Sequence, residues 1–229
     1  MVLKLFYDLH SQPSRALFMF LKLSKIPFQS CAVDLLRGEH LTKEFKKNYS
    51  KFQKVPFIHE DDFFLTESIG ILRYLSRQYP IADHWYPKDS RKQAKVDELL
   101  EWQHLNIRLN CSTYFITKFT IPLKTGKDPV PEKVEKAKKY MVKSLSDFEE
   151  LFLSGDGPFV FGDQISYADL QAACEIEQPR MVGYNPRDYF PKIKTWLENV
   201  RKECNPVYDE AHNIVNMIAD DDDNLKAKL

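Results

Sequence analysis

Every stretch of this chain that reads as β-strand lies before residue 67, and none follows residue 80. Residues 2–7 and 27–34 are short and β-rich, and Val55–His59 and Phe63–Leu65 flank the turn Glu60-Asp61-Asp62 as a hairpin. Between the first two strands, Ala16, Leu17, Phe20, Leu21 and Leu23 recur at helical spacing, which makes a right-handed βαβ unit. A short charged helix is expected over 40–48 and another from Glu67 to Tyr79, with Ile69, Leu72, Tyr74 and Leu75 inward. After the linker Ile81–Pro87 only helical patterns remain: 89–120, closed by Pro122 and the Gly126–Pro129 segment, then 131–153, one opening at Ser166, 190–202 and 206–218. The acidic tail from Asp220 to Leu229 reads as frayed. The expected fold class is α/β followed by all-α, with one domain at 1–81 and an all-helical domain at 89–229.

Composition narrows the function classes. Lys+Arg and Asp+Glu are both 33, so no overall field draws the chain to nucleic acid or to an anionic membrane. No apolar run approaches the roughly 20 residues of a membrane span. Lys4 and Asp8 fall too early for a signal peptide, which points to the cytosol. Cys31, Cys111, Cys174 and Cys204 are widely spaced and read as free buried thiols, with no metal-binding spacing among them.

Four features of the first domain carry chemistry. Ser11-Gln12-Pro13-Ser14 follows the first strand and opens the first helix. Serine at both ends of that spacing excludes a dithiol redox pair, whereas a hydroxyl at a helix N-terminus suits an anion. Without a Gly-x-Ser-x-Gly elbow a serine hydrolase is disfavoured. Pro56 opens a strand, and a cis Val55–Pro56 bond would leave the Val55 backbone free to pair with an extended peptide. Glu67-Ser68 stands at another helix N-terminus, where a carboxylate and an ammonium can both be held; Thr66 or Ser68 is expected to cap it. His40 and Lys54 can meet a second carboxylate. Together these outline a groove for an extended anionic peptide with Ser11 at its middle.

On these residues the chain resembles the cytosolic glutathione S-transferases, the theta class above all. The motifs are Ser11-Gln12-Pro13-Ser14-Arg15, Gly38-Glu39-His40, Lys54-Val55-Pro56, Leu65-Thr66-Glu67-Ser68, His84-Trp85-Tyr86-Pro87, Val96-Asp97-Glu98 with Trp102-Gln103-His104, and Ser166-Tyr167-Ala168-Asp169. The resemblance implies a thioredoxin-like N-terminal domain, a helical C-terminal domain that helps form the electrophile pocket, and a homodimer. It implies glutathione as co-substrate, small hydrophobic electrophiles as second substrates, and no further cofactor or metal. By matching positions, Ser11 donates a hydrogen bond to the glutathione sulfur, and Gln12, His40, Leu41, Lys54, Val55, Glu67 and Ser68 line the glutathione site. His40 and Lys54 take the glycine carboxylate, the Val55 backbone the cysteinyl unit, and Glu67 with Ser68 the γ-glutamyl end. Arg108 falls by the thiolate and the electrophile pocket, which would also draw on the loop after Tyr7 and the C-terminal helix. Leu105 stands where some relatives offer a carboxylate from the partner subunit. The Ser166–Asp169 box is a capping device with no part in the chemistry.

The implied reaction is attack of a glutathione thiolate on an electrophilic carbon, with peroxidase or dehalogenase side activity. A free thiol with pKa near 8.5 is only a few per cent ionised at neutral pH, and lowering that pKa by about 2 requires roughly 2.7 kcal/mol. One charge-assisted hydrogen bond and a helix dipole supply that much. The alternative on the same fold is a non-catalytic protein that binds glutathione or hydrophobic ligands.

Overall fold

The computed structural model describes residues 2–220. Four strands form one mixed sheet in the order β2-β1-β3-β4. β1 (Leu3–Tyr7) pairs parallel with β2 (Phe28–Ala32), and Leu3 faces Phe28. β3 (Phe57–Glu60) runs antiparallel to both β1 and β4 (Phe63–Thr66). Helix α1 (Gln12–Leu23) joins β1 to β2, the short α2 (Lys43–Asn48) precedes β3, and α3 (Ser68–Gln78) follows β4. The Val55–Pro56 bond is cis.

No strand occurs among the described residues beyond Thr66, apart from a single Phe159–Gly162 bridge. Helix α4 (Ser90–Gln103) runs without a break through a π turn (His104–Arg108), α5 (Leu109–Phe115), a second π turn (Ile116–Thr120) and α6 (Ile121–Thr125). The expected stop at Pro122 does not occur. Proline lacks an N–H and its ring meets the carbonyl four residues back, and the widened turn just before it relieves both conflicts. The run ends at Gly126, the start of the second expected stop, at φ +65° with its N–H on the Pro122 carbonyl at 2.8 Å. The remaining helices are α7 (Pro131–Phe152), α8 (Tyr167–Glu177), α9 (Pro191–Cys204), α10 (Val207–Ala211) and α11 (Asn213–Asp220). The single helix expected over 206–218 is thus two, parted at His212. The expected fraying concerns residues that, after Asp220, lie outside those described.

One core runs through both halves. From Gln12 to Leu21 helix α1 is buried on every side, and every residue of α8 is buried as well. Phe20 meets Trp85 edge-on at 6.1 Å and Tyr167 at 5.4 Å between ring centres, so α1 packs against the helical half as well as its own sheet. Polar pairs cross the same boundary: Gln12 Nε2 donates to Ser112 Oγ at 3.1 Å, and Arg73 on α3 bonds Asp97 at 2.7 Å and Glu101 at 2.9 Å on α4.

At the start of α8 the Ser166 N–H donates to Asp169 Oδ2 at 2.9 Å, the reciprocal bond expected of the capping box. The same carboxylate accepts from Val160 N and Trp196 Nε1, each at 2.9 Å, through Oδ1.

Candidate functional site

β1 ends at Tyr7, and the loop Asp8–Ser11 delivers the chain to α1. Asp8 shapes this loop: its Oδ1 accepts from the backbone and ring of His10, both at 2.8 Å, and its Oδ2 accepts from Leu35 N at 2.9 Å. Burial pushes the Asp8 carboxyl up, but the hydrogen bonds from His10 and Leu35 outweigh it and hold the group below its usual range. Ser11 is the N-cap residue of α1, and its N–H donates to Asp8 O at 3.0 Å. Its hydroxyl takes no capping bond, so it remains available at the positive end of a helix dipole. Ser14 is fully buried and Pro13 sits in the first turn.

Two concavities flank this turn. A cleft of about 190 Å³ is walled by Lys54, Val55, Glu67 and Ser68 from the sheet half and by Arg108 and Gln103 from the helical half, with Pro13 between. A more apolar hollow of about 680 Å³ is lined by Tyr7, Leu9, Val33, Leu36, His10 and Ile214. Since His10 lines the hollow and Pro13 the cleft, Ser11 and Gln12 stand at the divide between them.

Five of the residues singled out from sequence therefore meet in the cleft: Lys54, Val55, Glu67, Ser68 and Arg108. Four do not line it: Ser11, which precedes Pro13 on the chain and lines neither concavity, and Gln12, His40 and Leu41. The Gln12 side chain is committed to Ser112 across the two halves. His40 and Leu41 lie on the 3-10 turn Glu39–Leu41, with Leu41 56% exposed. His40 has a buried Nδ1 without a partner, and its carbonyl accepts from Gln53 Nε2 at 3.2 Å. Burial, then the charge of Lys124, lowers the His40 pKa and favours the neutral ring. Arg108, expected by the thiolate and the electrophile pocket, lines the cleft and not the hollow.

At the N-terminus of α3 the capping residue is Glu67, not Thr66 or Ser68. It adopts φ +66° and makes no side-chain cap bond. A left-handed conformation outside glycine costs about 1 kcal/mol, and here it turns the chain so that Glu67 and Ser68 both reach the cleft. Across from them Arg108 Nη1 contacts both oxygens of Glu175, at 3.3 and 3.2 Å. Glu175 is fully buried; burial raises its pKa and Arg108 opposes the rise.

Gln103, His104 and Gln171 also wall the cleft and were not expected there. A signal for Gln171 does exist: Gln171 and Glu175 on α8, with Gln178 just past its end, lie at i, i+4 and i+7, a buried polar stripe with no solvent to face.

Family models match both halves of the chain: "Glutathione S-transferase, N-terminal domain" over residues 1–77 and "Glutathione S-transferase, C-terminal domain" over 113–203. The glutathione S-transferase theta-1 of Bos taurus is 38% identical, an alignment covering 100% of this chain and 96% of the bovine protein. The theta-2 protein of Mus musculus is 42% identical over 87% of this chain and 81% of its own length. A human theta-class glutathione transferase, solved in complex with the glutathione conjugate of 1-menaphthyl sulfate, superposes with a TM-score of 0.89 at 39% identity, covering 96% of this chain and 89% of that one.

Proposed function

The chain belongs to the glutathione S-transferase family and is theta-like along its length, and from that premise we propose how its own residues conjugate glutathione to electrophiles. The observation that carries the reading is the free hydroxyl of Ser11 at the N-terminus of α1, set between a polar cleft and an apolar hollow. Glutathione lies along the cleft. Its γ-glutamyl ammonium meets Glu67, its α-carboxylate meets Ser68 and the α3 N-terminus, and the Val55 backbone beside cis-Pro56 pairs with the cysteinyl unit. Lys54 on the cleft wall holds the glycine end and Arg108 closes the cleft from the helical half; His40 at the glycine end, and Gln12 and Leu41 bordering the peptide, are assigned by matching position, since they lie off that wall.

The sulfur then reaches Ser11. The hydroxyl donates to it, and a donor aimed at an anion lowers the thiol pKa. Ser11 stabilises charge and is neither base nor nucleophile. The thiolate attacks an electrophilic carbon held in the hollow, a bond to sulfur forms, and the leaving group departs or an activated alkene takes up the charge. Haloalkanes and organic hydroperoxides are further acceptors under this reading.

We divide the chain into a glutathione-binding domain at 1–81 and a helical domain at 89–229. We read it as a cytosolic homodimer, with Leu105, 76% exposed on the long helical run, on the face offered to a second copy. Among the described residues no helix is long and apolar enough to cross a membrane.

The test is the ultraviolet absorbance of enzyme-bound glutathione thiolate against pH. Ser11→Ala is expected to raise the apparent thiol pKa by about 1–2 and to lower kcat about 100-fold. Unchanged values in the variant would remove Ser11 from the chemistry. Binding of glutathione without turnover of any electrophile or peroxide would favour the binding-protein alternative.

A further inference from the structure

Arg15 is fully buried, four residues beyond Ser11 on the same helix. Its guanidinium spreads over three neutral acceptors: Nη1 donates to Leu9 O at 2.7 Å, and Nη2 donates to Cys174 O at 2.9 Å and Gln178 Oε1 at 2.6 Å. Gln178 in turn donates from Nε2 to His10 O at 3.3 Å. Two consecutive carbonyls of the Ser11 loop, Leu9 and His10, are thereby tied to the last turn of α8 and the residue just after it. No ion pair of Arg15 is present among the described residues.

An isolated buried cation is costly, and a position serving only to pack α1 against α8 would be met by an apolar side chain at no such cost. The charged groups around it are already engaged or neutral. Glu175 is taken by Arg108, Glu177 by Arg180 and Arg187, and Asp8 by His10. His212 is held neutral by burial and by Arg15 itself, and burial keeps the Cys174 thiol protonated. Glu175 also feels the charge of Arg15, but one carboxylate shared between Arg15 and its bonded partner Arg108 leaves a net positive charge behind the Ser11 loop.

We infer that Arg15, braced by Gln178, is the positioning residue of the site: it fixes the Leu9–His10–Ser11 loop from beneath and supplies a positive charge, without an ion pair of its own, that favours a thiolate at Ser11. This rests on the assignment of Ser11 to the glutathione sulfur. Both effects fall on the reacting sulfur rather than on the ends of glutathione, so they separate in kinetics from a general loosening of the cleft.

The experiment measures thiolate absorbance of bound glutathione against pH, with kcat and KM, in the full-length wild type, Arg15→Met and Arg15→Lys. Arg15→Met should raise the apparent thiol pKa by about one pH unit and lower kcat about tenfold, with KM for glutathione within about twofold. Arg15→Lys, which keeps the charge but not the fork, should fall between it and wild type. A folded Arg15→Met with wild-type pKa and kcat overturns the inference, as does a loss seen equally in both variants that leaves the pH profile unmoved. Should Arg15→Met fail to fold, Gln178→Met cuts the brace from the helical side. It should move the kcat profile to higher pH, and a lower melting temperature with an unmoved profile again overturns the inference. A wild type that fails to bind glutathione would instead refute the proposed function, and Ser11→Ala with an unmoved thiol pKa would refute the Ser11 assignment.

Discussion

At the scale of single residues, burial decides which polar groups act and which are held silent. His212 is fully buried, its Nδ1 lies 2.9 Å from the Tyr208 carbonyl, and its Nε2 has no partner. Burial first, and Arg15 next, depress its pKa from the ordinary 6.5 to about 3. An unfolded chain therefore takes up a proton that the native state refuses. The native state keeps its full stability above pH 6.5 and loses it as pH falls toward 3, by up to about 1.4 kcal/mol per pH unit. His212→Phe, which can stack on Tyr208 as the imidazole does at 4.1 Å, should flatten the dependence of urea unfolding between pH 6.5 and 4. An acid sensitivity equal to wild type would mean that other groups dominate it. The contrast with Ser11 is one of access: that hydroxyl is left uncommitted at the divide between cleft and hollow, whereas the imidazole is enclosed on every side.

At the scale of elements, α8 is the organising piece. Asp169 closes its first turn and accepts bonds from Ser166, Val160 and Trp196, which tie together the preceding loop, α8 and α9. Asp169→Ala would strand four donors, the N–H and hydroxyl of Ser166, the Val160 N–H and Trp196 Nε1, and is expected to cost about 3 kcal/mol or more, read as a lowered urea midpoint with an unchanged m-value. A shift under about 1 kcal/mol would show that water replaces the carboxylate. The box itself was readable from Ser166-Tyr167-Ala168-Asp169, because a cap is set by neighbours in the chain. The bonds to Val160 and Trp196 were not, since they depend on how separate segments pack. The long run through α4, α5 and α6 taught the opposite lesson. Pro122 is a local stop signal, and the π turn ahead of it together with packing against α7 kept the helix going.

At the scale of the whole molecule, the two halves share one hydrophobic core. Trp85 and Tyr167 pack on Phe20, while Gln12, Arg15 and Arg73 bond across the boundary. Such a boundary favours cooperative unfolding. The three tryptophans, Trp85, Trp102 and Trp196, all lie beyond the sheet, and circular dichroism reports the helices of both halves. Urea transitions followed by tryptophan fluorescence and by circular dichroism at 222 nm should coincide. Separate midpoints would mean that the sheet half and the helical half unfold independently. Exposed pairs across the same boundary matter less: Lys22 and Glu210, at 2.5 Å, form an exposed bridge of the kind worth about 0–1 kcal/mol, so Lys22→Ala should leave the transitions together.

By itself the sequence determined what depends on near neighbours and on side-chain chemistry. The order of strands and helices followed from hydrophobic period, the capping box at Ser166 from residue type, and the candidates Ser11, Lys54, Val55, Glu67, Ser68 and Arg108 from their places at element ends and the family motifs they match. Tertiary structure alone decided which of these share a cavity, because Lys54 and Arg108 come from opposite sides of a cleft that exists only when α4 packs beside the sheet. It also decided that Glu67 takes a left-handed turn, that Gln103 and Gln171 join the wall, and that Arg15 ends up buried between the Ser11 loop and α8. Arginine on a helix ordinarily faces water, and only the enclosure of α1 between sheet and helical half turns this one into a buried charge beneath the site.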